Sequence, residues 1–285
     1  MNILKQSSPL VLISSMYKSL TKAEQKVADL VTRDTHDAVY SSVTDLAEKA
    51  NVGETTVIRF CRKLGYRGFQ DFKLAVAQNL VSPSEQVHGK IEDGDSLAVV
   101  SKKITSQIID SLDNTLNLLQ PSSVEKVVDR ITTARKLYFF GVGSSGILAK
   151  DAKHRFMRLG YHVEQSSDTH IMAMNAALAT NEDIVFGIST SGSTKDVVDT
   201  MRIAKENHAF IVCLTSHSKS PITQYADVIL LAASKETPLQ GGSFSSKIAQ
   251  LQLLDILTTA VALKRKDYTF KSIEKTAKAV LDKMY

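Results

Sequence analysis

The residues best suited to chemistry lie in one run, Asp183-Ile184-Val185-Phe186-Gly187-Ile188-Ser189-Thr190-Ser191-Gly192-Ser193-Thr194, followed by Lys195-Asp196-Val197-Val198. Its second half packs five hydroxyl residues, Ser189, Thr190, Ser191, Ser193 and Thr194, around one glycine. Hydroxyls at that density, joined by backbone N–H groups, can surround an anion such as phosphate. A single helix cap needs one hydroxyl, so five point to a ligand. The loop lacks a Walker-type lysine, which argues against nucleotide hydrolysis.

A second loop of similar character precedes it. Gly141-Val142-Gly143-Ser144-Ser145-Gly146 formally matches GxGxxG, and Glu164 follows near the position of a ribose-binding acid. A dinucleotide site is therefore one reading, but a lone GxGxxG is weak evidence. Ser144 and Ser145 make this loop hydroxyl-rich too. Paired with the run at 189–194, it suits a monosaccharide phosphate, one loop holding the phosphate and the other the sugar hydroxyls. His170, in Ser167-Asp168-Thr169-His170, is placed to reach the mouth of such a site. Gly241-Gly242-Ser243-Phe244-Ser245-Ser246-Lys247 either closes the pocket or serves as the approach and cap of the penultimate helix.

The elements that must position these loops follow from periodicity. The apolar, β-branched run before Ser189 predicts a buried parallel strand. Val197, Val198, Met201, Ile203 and Ala204 predict a helix after it. A helix N-terminus there adds unpaired donors and partial positive charge at the loop. From Lys136 onward strands and helices alternate. Strands are expected at Leu137–Gly141, Tyr161–Glu164, Asp183–Ser189, Phe210–Thr215 and Val228–Ala232. Helices are expected from Ser145 and Thr169, over Lys195–Asn207, Ser246–Lys264 and Ser272–Lys283, with a helical turn near Pro221. That alternation predicts an α/β doubly wound parallel sheet, whose ligands bind beyond the carboxyl ends of the strands. Two helices lead into it, Asp95–Leu119 and one from Ser122 or Ser123 to Thr133.

The first eighty residues show no convincing strand. Thr21-Lys22-Ala23-Glu24 is a capping box that opens a helix. Ser42 starts a short helix to Ala50, Asn51-Val52-Gly53 turns tightly, and Glu54 to Leu64 forms a further helix. Gly65-Tyr66-Arg67-Gly68 breaks it before a helix from Phe69 to Val81. Two short helices around a three-residue turn make a helix-turn-helix, whose second helix enters the major groove. Glu54, Thr55, Thr56 and Arg59 would then meet base edges. Arg62, Lys63, Arg67 and Lys73 would meet phosphates, which supply affinity and salt dependence. Charge supports this. Residues 1–81 hold 11 Lys/Arg against 8 Asp/Glu, and the excess concentrates at 54–73.

Composition narrows the rest. A chain of 285 residues with 43% hydrophobic and 23% charged residues can build two ordinary domains. No apolar run approaches a membrane span, and the N-terminus is a poor signal peptide, so a cytoplasmic protein with no membrane partner is expected. Cys61 and Cys213 sit in apolar patterns, as reduced core residues do. Neither they nor the seven scattered histidines have metal-ligand spacing, so no metal and no cofactor is expected.

SSVTDLAEKANVGETTVIRFCRKLGYRGFQDFK closely resembles the helix-turn-helix of RpiR-type bacterial regulators, with TVxRFC, LG, GF and FK at matching spacing. Gly53 departs from the serine many members carry, but glycine is a serviceable N-cap. GVGSSG, STSGST and LTSHSKSPI (214–222) resemble the sugar isomerase, or SIS, domain. The resemblance implies an all-α helix-turn-helix domain over residues 1–81, a linker over 82–94 and a sugar-phosphate-sensing SIS domain over 95–285. It makes Ser144, Ser189, Ser191 and Thr194 the principal effector contacts, with Ser145, Thr190 and Ser193 behind them. It implies double-stranded operator DNA and a phosphorylated sugar as partners, a homodimer or homotetramer, no catalysis, and repression relieved by the effector. Its alternative is a phosphosugar isomerase or lyase, for which Glu164 and Glu236 are the available bases.

Overall fold

The computed structural model describes residues 8–80, 91–92, 94–234 and 244–283. They form two compact units: the first runs to Gln107 and includes Lys219–Pro221, and the second comprises Ile108–Ser218, Ile222–Ser234 and the chain from Phe244.

The first unit is helical: α1 (Pro9–Met16), α2 (Lys22–Arg33), α3 (Thr35–Tyr40), α4 (Val43–Lys49), α5 (Glu54–Lys63) and α6 (Phe69–Leu80). α2 starts on the expected capping box, Thr21 Oγ1 accepting from Glu24 N and Glu24 Oε2 from Thr21 N. α4 starts on a second box, between Ser42 and Asp45. Val27, Val31, Leu46, Val57, Phe60, Phe72 and Val76 form the core. Phe72 meets Phe60 and Tyr66 edge-on, with ring centroids 5.6 and 5.4 Å away, a geometry that ring quadrupoles favour. α1 and α3 add to the expected elements.

α7 (Leu97–Leu118) crosses the boundary between the units, and α8 (Pro121–Thr133) follows. The second unit then alternates β1 (Lys136–Phe140), α9 (Ser144–Arg158), β2 (Val163–Ser166), α10 (Thr169–Leu178), β3 (Asp183–Ile188), α11 (Lys195–Glu206), β4 (Phe210–Thr215), a 3-10 turn at Pro221–Tyr225 and β5 (Val228–Leu231). α12 (Phe244–Lys264) and α13 (Lys266–Lys278) close it. All strand pairs are parallel in the order β2-β1-β3-β4-β5. Both faces are covered, one by the cluster around Phe139, Phe156 and Phe186, the other by that around Phe140, Met172 and Met201. Every residue of β3 is buried, as its unbroken apolar run predicted. Arg135 clamps the entry to β3, its Nε and Nη2 donating to the buried Asp183 carboxylate at 3.0 and 2.6 Å.

Two boundaries correct the expectations. β2 spans Val163–Ser166 rather than Tyr161–Glu164. Gly160, at φ +91°, turns the chain out of α9, and Tyr161 packs edge-on against Phe156 before the strand begins. The last long helix starts at Lys266 rather than Ser272, only Arg265 separating it from α12. No described helix is long and apolar enough to cross a membrane. Cys61 and Cys213 are free and buried, and burial pushes the Cys213 thiol up to about 12.

Candidate functional site

β1 and β3 are neighbours, paired from Lys136↔Asp183 to Phe140↔Gly187. The loops leaving them therefore emerge side by side from one edge of the sheet. This is where the strand order reverses, since the chain runs outward from β1 to β2 and returns to add β3 on the other side. The two hydroxyl-rich loops thus occupy the place where ligands of such sheets bind.

In the first loop the glycines answer to backbone geometry. Gly143 sits at φ +57° and a Cβ on Gly141 would lie 2.9 Å from the Ser145 carbonyl oxygen. The formal GxGxxG is accounted for by this tight strand-to-helix turn. The ribose-acid role is corrected: Glu164 lies within β2, opposite Tyr138, and pairs with Lys136 at 3.6 Å and Lys153 at 4.0 Å. These ion pairs also correct its reading as a catalytic base, and Glu236 lies outside the described residues. Ser144 opens α9 half-buried, while Ser145 is buried.

The second loop is organised internally. Ser189 Oγ and Thr194 Oγ1 share a hydrogen bond at 3.1 Å. Ser193 donates from its N–H to Ser191 Oγ and from its Oγ to the Ser191 carbonyl. Gly192, at φ +63°, donates to Ser189 O and accepts from Ile222 N. The Thr190 carbonyl accepts from Ser216 N (3.0 Å) and Thr215 Oγ1 (3.2 Å), and Thr190 Oγ1 accepts from Gln250 Nε2 (3.2 Å). Gln250, 60 residues away on α12, is part of this site. An apolar helix pattern gave no sign of it.

Both helices at these loops, α9 after Gly143 and α11 after Thr194, begin without a side-chain cap. α10 differs, because Asp168 Oδ1 accepts from His170 N and Ile171 N. His170 is exposed on that first turn. Beside α9, Gly143, Gly146, Lys150, Gln165, Ser167 and Asp168 line an open cleft of about 470 Å³. Of the expected pocket-closing segment, 241–243 lies outside the described residues; Phe244 is exposed and Ser246 buried. Among the described residues no cluster of metal-binding side chains occurs.

In the first unit, the turn runs through Asn51, at φ +51°, into Gly53, whose extended backbone opens α5. Thr55, Arg59 and Arg62 are exposed and, at i, i+4 and i+7, share one helix face. Arg67 is exposed beyond the helix, its N–H held by Asp71. Four expectations need correction. Thr56 is only 9% exposed, one residue before Val57 on the packed side of α5. Glu54 is half-buried and accepts a hydrogen bond from Thr44 Oγ1. Lys63 is exposed, but its Nζ is turned onto the domain's own acceptors, the Ser19 carbonyl (2.6 Å) and Glu24 (3.1 Å). Burial raises the Glu24 pKa, but hydrogen bonds from Thr21 and Lys63 outweigh it and hold the carboxyl below its usual range.

Lys73 departs furthest from its expected place at a phosphate. It is 6% exposed, and its Nζ donates at 2.9 Å to the carbonyl of Ser41, which ends α3. Burial brings its pKa down to about 8, against a smaller opposing pull from Asp45.

Comparison with known proteins follows the same division. Residues 8–83 match the helix-turn-helix domain of the rpiR family, and residues 130–260 match the SIS domain. An HTH-type transcriptional regulator of Haemophilus influenzae is 37% identical over 98% of both chains. The HTH-type transcriptional regulator HexR of Escherichia coli is 35% identical over 89% of this chain and 87% of its own. Among solved structures, the Vibrio vulnificus NanR protein complexed with ManNAc-6P has a TM-score of 0.87 and 32% identity, covering 97% of this chain and 99% of that one.

Proposed function

The chain belongs to the rpiR family of helix-turn-helix regulators that carry a SIS domain, and we propose that it is a repressor released from operator DNA by a phosphorylated sugar. Its relatives over nearly the whole length are transcriptional regulators, and this chain is a regulator rather than an enzyme. The observation that carries the effector reading is the pairing of two hydroxyl loops and two uncapped helix starts at the β1–β3 edge. Helix N-termini with free donors suit a phosphate dianion. Ser144, Ser189, Ser191 and Thr194 are its principal contacts, supported by Ser145, Thr190 and Ser193, with His170 at the mouth. The likeness to NanR with ManNAc-6P makes an N-acetylated hexosamine 6-phosphate the first candidate.

Residues 1–81 form the DNA-binding domain, 82–94 the linker and 95–285 the sensing domain. Thr55 and Arg59 read the major groove, and Arg62 and Arg67 meet phosphate. Two copies are needed to read two half-sites, so the working form is a homodimer or homotetramer. α10 leaves Ile171, Met174 and Leu178 exposed, an apolar surface suited to a second copy. The effector acts by binding the DNA-competent and DNA-incompetent arrangements with different affinity.

The test is thermal melting of the purified protein against N-acetylmannosamine 6-phosphate, other hexose phosphates, the unphosphorylated sugars and NADH. A phosphosugar at a hundred times its Kd stabilises by about 2.7 kcal/mol, and Ser189→Ala with Ser191→Ala abolishes that shift. A shift with NADH alone, or with no phosphosugar, sinks the reading.

A further inference from the structure

The buried face of α12 is apolar except at Ser246, Gln250 and Thr258. The Thr258 hydroxyl returns to its own helix, donating to the Leu254 carbonyl at 2.9 Å. Ser246 and Gln250, one turn apart, reach out of it. Gln250, 0% exposed, donates from Nε2 to Thr190 Oγ1 in the second hydroxyl loop. Ser246 Oγ is hydrogen-bonded to Ser234 Oγ, just past β5. Next to Ser234, α7 grips both backbone groups of Ala233: Ser111 Oγ donates to its carbonyl at 2.7 Å, and its N–H donates to Thr115 Oγ1 at 2.9 Å. Thr115 is fully buried and Ser111 nearly so.

We propose that Gln250 is a positioning residue that ties the Thr190 loop, through α12, to α7, so that occupancy of the loop is felt by the helix leading to the DNA-binding domain. The inference rests on the reading of that loop as the effector site. Its switch is the carboxamide. Gln250 Oε1 is buried without a hydrogen-bond partner. Turning the amide over lets Thr190 donate its hydroxyl proton to Oε1 instead, and either orientation leaves one amide atom unpaired. Two near-balanced arrangements of one contact are what a coupling element requires. An anion that accepts a hydrogen bond from the Thr190 hydroxyl selects the arrangement in which Gln250 donates to Thr190. A change in that bond acts on α12, and through Ser246 and Ser234 on the segment α7 holds. Four polar side chains retained in an apolar interface, where unpaired groups are costly, have a use on this reading.

The test needs no effector. Amide hydrogen exchange is measured on the full-length wild type, on Gln250→Met and Thr190→Val at the far end of the track, and on Thr200→Val as a control. Thr200 is equally buried, but its hydroxyl bonds within α11. In the first two variants the amides of residues 108–118 and of Ala233 should exchange about three- to tenfold faster, the change expected from one lost neutral hydrogen bond. The control should leave them unchanged, and Thr190→Ser, which keeps the hydroxyl, should restore wild-type exchange. Acceleration confined to 189–194 would overturn the proposal by making Gln250 a local brace. Equal acceleration in the control would overturn it by making the effect general loosening. Failure of the effector reading would appear in the melting experiment instead, with these exchange rates untouched.

Discussion

The molecule has helix starts of two kinds. α2, α3, α4 and α10 begin on a side chain of their own, from Thr21, Asp34, Ser42 and Asp168. α5, α9 and α11 begin after Gly53, Gly143 and Thr194 with no side-chain cap. Three further uncapped starts have local reasons: α1 and α8 place a proline in the first turn, and α13 follows α12 after one residue. α6 also starts after a glycine, Gly68, but the three at Gly53, Gly143 and Thr194 are those proposed to meet DNA and the effector. A helix end that satisfies itself builds the fold, and one that does not is available to a ligand. On the proposed reading, stability and recognition fall on different helix termini.

Lys73 extends the comparison to a carboxyl end, since it does for the end of α3 what Ser42 does for the start of α4. Its folded pKa, about 8, lies below the ordinary 10.5. Up to about pH 8 it is protonated in both states and carries the full cost of burial. As pH rises toward 10.5 the folded protein releases the proton first, so stability increases. The stability of wild type over Lys73→Met should grow across that window by at most about 3 kcal/mol, read from urea melts at several pH values. A flat difference would show that Lys73 is not held as an interior ammonium. Arg59→Ala, on the helix that follows the uncapped Gly53, should cost about 2 kcal/mol in operator affinity and leave the melting temperature unchanged, as measured by fluorescence anisotropy at fixed salt. Ser42→Ala at a capped start should do the reverse, costing about 1 kcal/mol of stability with operator affinity intact below the melt. Gly53→Ser gives α5 a cap, and nothing within 4 Å obstructs the new side chain. It should stabilise by a few tenths of a kcal/mol, visible as a small rise in melting temperature. A loss of stability there would break the division between the two kinds.

What was legible in the residues follows the reach of the interactions. α4, α5 and the doubly wound alternation show plainly, because caps, turn residues and apolar periods act within a few positions. α3 does not, since Thr35-His36-Asp37-Ala38-Val39-Tyr40 is too short for a helical period to emerge. β2 starts two residues later than its pattern predicts because Tyr161, a good strand former, is held by rings on α9 and α13. Among candidate site residues, hydroxyl density marks both loops, but burial of charged side chains stays hidden. Lys73 looks like any cation on a basic helix until the Ser41 carbonyl, 32 residues earlier, is placed beside it. Lys63 is claimed by Glu24 across 39 residues, and Thr190 by Gln250 across 60. Such pairings are set by tertiary packing, to which one-dimensional patterns are blind.

α7 spans 22 residues with neither glycine nor proline among them, and the boundary between the compact units lies inside it. At 1.5 Å per residue it is a shaft about 33 Å long. A shaft without a joint preserves angle as well as distance. One residue inserted near Gln107 would turn the first part of α7 against the second by about 100°, whereas seven would restore the phase to within about 20°. The helix is therefore sensitive to phase: a change of one or two residues would rotate its first half out of step with Ser111 and Thr115, and a change of two full turns would leave the two halves nearly in step.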